Sequence, residues 1–150
     1  MKLMVLTAGV WPTEKEARDK MWIFLKSCQK FGVEPKLYGC GTPLFPGYRR
    51  MKLEIQLDYL KQHGQDYTHI LYTDGWDAFF TGPLDEIKAK YHIMGQPPIL
   101  SSAHYTMGNV SRIEPYKGLF DESVYYRYPN VGGYMAELPL IIEMFARMLR

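Results

Sequence analysis

Apolar and polar positions alternate between short unbroken apolar runs and longer stretches with a helical period. Lys2 to Thr7 is a compact apolar run, the pattern of a strand buried on both faces. A Gly-Val-Trp-Pro loop follows it. Thr13 is then placed to cap a helix whose first turn carries Glu14 and Glu16, where the helix dipole favours them. Met21, Phe24, Leu25 and Cys28 continue at helical spacing up to Gly32, a stop residue. Val33 to Tyr38 reads as a second strand, closed by Gly39-Cys40-Gly41. Thr42 to Gly47 holds two prolines and a glycine and reads as a loop.

Arg49 to His63 is predicted as a second amphipathic helix, with Met51, Ile55, Leu57 and Leu60 as its apolar positions and Gly64 as its end. Ile70 to Thr73 is the third strand. Leu84 to Tyr91 reads as a short helix, Pro98 to Ser102 as a fourth strand, Tyr134 to Ala136 as a short strand, and Pro139 to Met148 as a closing helix. The alternation of strands and helices predicts an α/β fold, a mostly parallel sheet with helices on both faces. Residues 103–128 show no period and are rich in Tyr, Gly, Ser and Asn, a length and composition that mark functional loops. No repeat or linker divides the chain, so residues 1–150 are read as a single domain.

Composition narrows the picture. At 150 residues, 47% hydrophobic and 23% charged, the chain has enough apolar content for a core and too much for disorder. A net charge of +2 does not by itself call for a nucleic-acid partner. Two cysteines, Cys28 and Cys40, are too few for a disulfide framework and fit a reducing, cytoplasmic compartment. The apolar N-terminus meets Pro12, Glu14 and Lys15 at once, which suits a first core strand better than a signal peptide, and no run reaches the length of a membrane span. Twelve tyrosines raise the aromatic share to 15%. They suit stacking on bases or sugars, although most tyrosines at core edges serve packing.

The candidate chemistry centres on Asp74-Gly75-Trp76-Asp77, set where the run His69 to Thr73 ends. Asp-Gly is a common turn pair, and an Asp after a strand often caps the next segment. The strand-end context gives it a second meaning. Ligands of open α/β sheets bind beyond the strands' C-terminal ends. Two hard oxygen donors there can hold Mg²⁺ or Mn²⁺ while leaving most of the cation's shell to phosphate and water. Trp76, between the carboxylates, would limit solvent access.

Lys52 lies near the start of a helix that enters the same edge, a placement that favours anions. Asn130-Val131-Gly132-Gly133 is a second turn, in which Asn130 offers an amide while Gly132 and Gly133 let backbone approach a ligand. His104, after the fourth strand, is a further candidate.

These segments, in this order, resemble the glycosyltransferase domain of the procollagen lysyl hydroxylases and the related collagen galactosyltransferases, a GT-A group with a Rossmann-like sheet and with viral and bacterial relatives. The family's Gly-Gly-Gly-Gln-Lys-Val-Arg helix start is partly kept in Gly47-Tyr48-Arg49-Arg50-Met51-Lys52. Its Asp-x-x-Asp motif is similar to Asp74 to Phe80. Its Phe-Ser-Ala-Glu strand end looks like Leu100 to His104, with His in place of Glu. Its Leu-Asn-Ser-Gly-Gly-Phe turn looks like Pro129 to Tyr134. The resemblance covers roughly Leu3 to Ile142. It implies a UDP-sugar donor, Mn²⁺ (or Mg²⁺) on Asp74 and Asp77, and uridine contacts from Thr7 and Ala8 at the first strand end, with Gly75 and Trp76 in the donor site. The family's later Asp-Asp-Gln segment and metal-completing histidine have no counterpart before Arg150, which implies a shortened or minimal relative.

The leading expectation is a metal-dependent glycosyltransferase moving a sugar from a UDP-sugar to a hydroxyl acceptor. In it, Lys52 or Arg50 assists electrostatically, Asn130 and the paired glycines border the sugar, and His104 or Glu137 stands as a candidate base. Two alternatives remain. One is a non-catalytic nucleotide-sugar-binding or oligomer-forming domain, suggested by a final helix that leaves little polar face for solvent and so asks for a covering partner, such as a second copy. The other is a phosphoryl-transfer hydrolase, whose usual aspartate at the first strand end is replaced here by Thr7-Ala8-Gly9.

Overall fold

A computed structural model describes residues 1–42, 48–101 and 132–150. In chain order its elements are β1 (Leu3–Ala8), α1 (Glu14–Lys20), α2 (Trp22–Lys30), β2 (Lys36–Tyr38), α3 (Tyr48–His63), β3 (His69–Thr73), α4 (Leu84–Ile93), β4 (Ile99–Leu100), β5 (Gly133–Glu137) and α5 (Leu138–Met148).

The five strands form one sheet in the order β2-β1-β3-β5-β4. β1 pairs in parallel with β2 and β3, while β5 runs antiparallel to both β3 and β4. Four strands therefore point one way and β5 points back, so the sheet is mixed, with two parallel and two antiparallel pairings. The reversal has a consequence for the site. Thr73 pairs with Gly133, so the start of β5 sits at the edge where β1, β2 and β3 end.

Alternation along the strands divides the core in two. Met4, Leu6 and Ala8 of β1, with Ile70 and Tyr72 of β3, face a cluster completed by Leu57 and Leu60 of α3 and Ile141 and Phe145 of α5. Val5 and Leu71 belong to a second cluster with Ala17, Met21, Phe24, Cys28 and Phe80, flanked by Leu84 and Ile87 of α4. Helices thus cover both faces, as the apolar runs predict.

Several boundaries differ from the sequence reading. The helix after Thr13 bends at Met21, which leaves helical geometry (φ −100°, ψ 21°). The Met21 amide still donates to the Ala17 carbonyl and the Leu25 amide to that of Met21, so the chain kinks without losing these bonds. The second strand is only Lys36–Tyr38 and the fourth only Ile99–Leu100. Gly133 belongs to a strand, paired with Thr73, where a turn is expected from its sequence.

The closing helix is less wrapped than its composition suggests. Leu138, Ile141 and Phe145 are buried, while Ile142, Met144 and Leu149 are half-buried against the same core. Pro139 occupies its first turn, where a missing N–H is harmless. The Arg50 guanidinium donates to the Leu149 carbonyl at 3.1 Å, a cation at the negative end of the helix. Among the described residues no helix is long and apolar enough to cross a membrane.

Candidate functional site

Asp74 is the first residue past β3. Strand alternation puts it on the same side as Tyr72, and the Tyr72 hydroxyl donates to Asp74 Oδ1 at 2.8 Å. Lys52, in the second turn of α3, donates from Nζ to the same oxygen at 3.0 Å. The ammonium also lies 5.3 Å from the centroid of the Tyr72 ring, within cation–π range. The two charged side chains are 26% and 31% exposed, so the pair is partly withdrawn from water yet reachable. The Asp74 amide donates to the Gly132 carbonyl at 2.8 Å, tying the carboxylate's backbone to the chain entering β5.

Behind this pair lies a polar, tyrosine-rich layer between α3 and the sheet. The Tyr38 hydroxyl donates to Gln56 Oε1 at 3.2 Å, and Gln56 Nε2 donates to the Tyr134 hydroxyl at 2.8 Å. The rings of Tyr72 and Tyr134 stack at 5.1 Å. Gln56 is 3% exposed, and a buried amide keeps its position because its donors and acceptors are used. Burial pushes the phenols of Tyr38, Tyr72 and Tyr134 well above the ordinary tyrosine range, so they remain neutral, Tyr38 and Tyr72 as donors and Tyr134 as the acceptor of the Gln56 amide.

The other half of the motif faces outward. Asp77 is exposed, and Trp76 is 52% exposed, so Trp76 does not shut water out of the turn. It packs instead on Trp11 from the loop after β1, with ring centroids 5.0 Å apart and planes tilted by 55°. Two strand-end loops thus present an aromatic pair beside the carboxylate turn. Gly75 is buried, and a Cβ there would stand 2.5 Å from Met21 Sδ and 2.9 Å from Thr7 Oγ1.

The structure brings Lys52, Asp74, Gly75, Gly132 and Gly133 to one edge of the sheet. Thr7 and Ala8 also end there, but both are buried. The Thr7 hydroxyl faces Met21 Sδ and Gly75, so this side chain supports the turn from beneath. Arg50 is drawn away, paired with Glu54 at 2.9 Å. Glu137 ends β5 at the opposite sheet edge, roughly 14 Å from Gly133 at the usual strand rise, and is no candidate base for chemistry at Asp74. His104 and Asn130 lie outside the described residues.

Two contributors escape the sequence reading. Trp11 follows a parallel strand end just as Trp76 does, and the same logic applied to its loop would find it. Tyr72 sits two residues before Asp74 and shares its strand face, a period-two relation visible in the run itself.

The donor set is compatible with a hard divalent cation. Asp74 and Asp77 are acidic oxygen donors on one turn, and no group of three His, Cys, Asp or Glu gathers among the described residues. Such a site holds Mg²⁺ or Mn²⁺ only with help from ligand phosphates and water.

No protein-family model matches the chain, and no curated protein matches it. Among solved structures, the chain is similar to a glycosyltransferase involved in the glycosylation of the major capsid of PBCV-1. The TM-score is 0.51 at 11% identity, over 97% of this chain and 66% of that one. At that identity the likeness establishes a glycosyltransferase-like fold.

Proposed function

We propose that this chain is a metal-assisted glycosyltransferase domain that takes a sugar from a UDP-sugar and passes it to a hydroxyl acceptor. The observation that carries the reading is Asp74, held by Lys52 and Tyr72 at the C-terminal edge of a glycosyltransferase-like sheet. The motif resemblance to the collagen-modifying transferases supplies UDP as the nucleotide. The fold neighbour is itself a glycosyltransferase, which supports sugar transfer as the reaction.

In this reading Asp74 and Asp77 would hold Mn²⁺ or Mg²⁺. Such an ion, when bound, neutralises the diphosphate and acts as a Lewis acid towards the departing nucleotide. Lys52 adds a positive charge from the start of α3, whose first turn carries no acidic residue. Trp76 and Trp11 offer ring faces for the base. The Gly132-Gly133 backbone borders the sugar, where a Cβ would stand in the way.

Isothermal titration of UDP with and without Mn²⁺ tests this. Heat is expected only with Mn²⁺, and Asp74→Ala should weaken binding at least about tenfold, the cost of losing one charge-assisted contact. A smaller loss is expected for Asp77→Ala. Failure of the folded wild type to bind UDP at millimolar concentration would sink the donor reading. Binding without release of UDP from any UDP-sugar in the presence of candidate acceptors would reduce the role to nucleotide-sugar binding.

A further inference from the structure

Asp74 already holds a cation, and that cation belongs to the protein. Lys52 Nζ lies 3.0 Å from Asp74 Oδ1, the Tyr72 hydroxyl donates to the same oxygen at 2.8 Å, and the Tyr72 ring lies beneath the ammonium. A carboxylate oxygen shared by an ammonium and a phenol has much of its charge compensated. A divalent ion approaching Asp74 would meet a positive charge a few ångströms away, in a partly withdrawn setting where screening is incomplete. Lys52 and a divalent ion are therefore competitors for one carboxylate.

Lysine suits a position that must be vacated. Its ammonium is a point charge on a flexible stem and is not locked by the two-pronged geometry an arginine would use. Once off Asp74 it needs a new anion, and the first turn of α3 offers no acidic side chain. The diphosphate of a donor held at the same sheet edge would bring negative charge within reach of Lys52.

We infer that Lys52 is a built-in cation exchanger: it occupies Asp74 while the site lacks its ligands, and moves to the diphosphate when a divalent ion takes the carboxylate. The inference rests on the donor-site reading above for the identity of the anion. Its metal half stands independently. It makes Lys52 a restraint on premature metal binding as well as a contact for the donor, so one substitution should shift the two affinities in opposite directions.

The test is titration of Mn²⁺ alone, read as loss of the free-ion signal in electron paramagnetic resonance, on the wild type and Lys52→Met. Without nucleotide, Lys52→Met should bind Mn²⁺ about tenfold more tightly. With saturating Mn²⁺, the same variant should bind UDP about tenfold more weakly. A lysine that only braces the fold would leave Mn²⁺ affinity unchanged. Equal or weaker Mn²⁺ binding by Lys52→Met, or no Mn²⁺ binding by either protein, overturns the exchange.

Should Lys52→Met not fold, the wild type answers instead. Mn²⁺ alone should raise acylation of Lys52 by an amine-reactive reagent, read by peptide mass spectrometry, and unchanged acylation overturns the exchange. The two readings fail separately. UDP binding that needs Mn²⁺, with Mn²⁺ affinity indifferent to Lys52, removes the exchange alone. Tighter Mn²⁺ binding by Lys52→Met, with no UDP binding in either protein, removes the donor reading and the move to the diphosphate, and leaves the competition between Lys52 and the divalent ion standing.

Discussion

At the scale of single residues, the carboxylate turn is held as much from below as from its own chain. Gly75 is where this can be read most directly. Any side chain there enters the space of Met21 Sδ, 2.5 Å from an added Cβ, and of Thr7 Oγ1 at 2.9 Å. The methionine can yield in part, but the buried threonine at the end of β1 has little room to move. Gly75→Ala should cost about 1–3 kcal/mol, the usual range for overpacking, and it should displace Asp74 from Lys52 and Tyr72. Urea denaturation gives the first quantity, and a wild-type midpoint in Gly75→Ala would refute the packing argument. Asp74 and Lys52 are legible in the sequence because Asp74 follows the strand run His69 to Thr73 and Lys52 lies near the start of the helix predicted over 49–63. Their direct contact is not, since it joins positions 22 residues apart and depends on how α3 lies across the sheet. Thr7 shows the opposite case. Its position at a strand end is correct, while its burial stems from the close approach of the Gly75 turn, which no local pattern encodes.

At the scale of elements, the strongest local signals give the sharpest agreement. Thr13 caps α1 in full. Its hydroxyl accepts from the Glu16 amide at 3.2 Å, and the Glu16 carboxylate accepts from the Thr13 amide at 3.2 Å. Thr13→Ala should therefore destabilise the fold by about 1 kcal/mol, and Thr13→Asn by less, because asparagine keeps an acceptor at the cap. Denaturant midpoints for the two variants check this, and equal losses would show that the cap bond contributes nothing. The kink at Met21 gives no comparable warning, since neither proline nor glycine stands there. Met21 is pulled into the core between Phe24 and the Gly75 turn, so tertiary packing sets the bend. The same holds for β5. A five-residue strand looks alike whether it runs parallel or antiparallel, and its insertion between β3 and β4 is fixed by pairing with strands far away in sequence. That insertion carries Gly132 to the Asp74 amide, so the part of the site least visible in the sequence is the part made by long-range topology.

At the scale of the whole molecule, both cores carry groups that must stay neutral, which makes the fold sensitive to alkali. Cys28, 1% exposed in the cluster under α1 and α2, has its thiol pushed up by burial from its ordinary 9.0 to about 11. Across the sheet, Tyr38, Tyr72 and Tyr134 are raised further above the ordinary 10.0 by the same cause. For an acid whose folded pKa is raised, the unfolded chain loses its proton first. The folded state then holds more protons, and stability falls as pH rises. The contribution of Cys28 is complete below pH 9 and is lost progressively between 9 and 11. The tyrosines add their share from pH 10 upward. Thermal unfolding at about pH 8, 9.5 and 10.5 should show a falling Tm, with the loss between the first two reduced in Cys28→Ala and reduced further when Cys40→Ala is added, because burial also raises the Cys40 thiol. Ion pairs on the surface, such as Arg18–Glu14 and Lys90–Glu86, contribute little to stability. Equal loss over that interval in the wild type and Cys28→Ala would mean that the thiol ionises without opening the core. The core around Cys28, Phe24 and Met21 would then be wetter than its packing implies, and the support that Met21 lends to the Asp74 turn would be correspondingly looser.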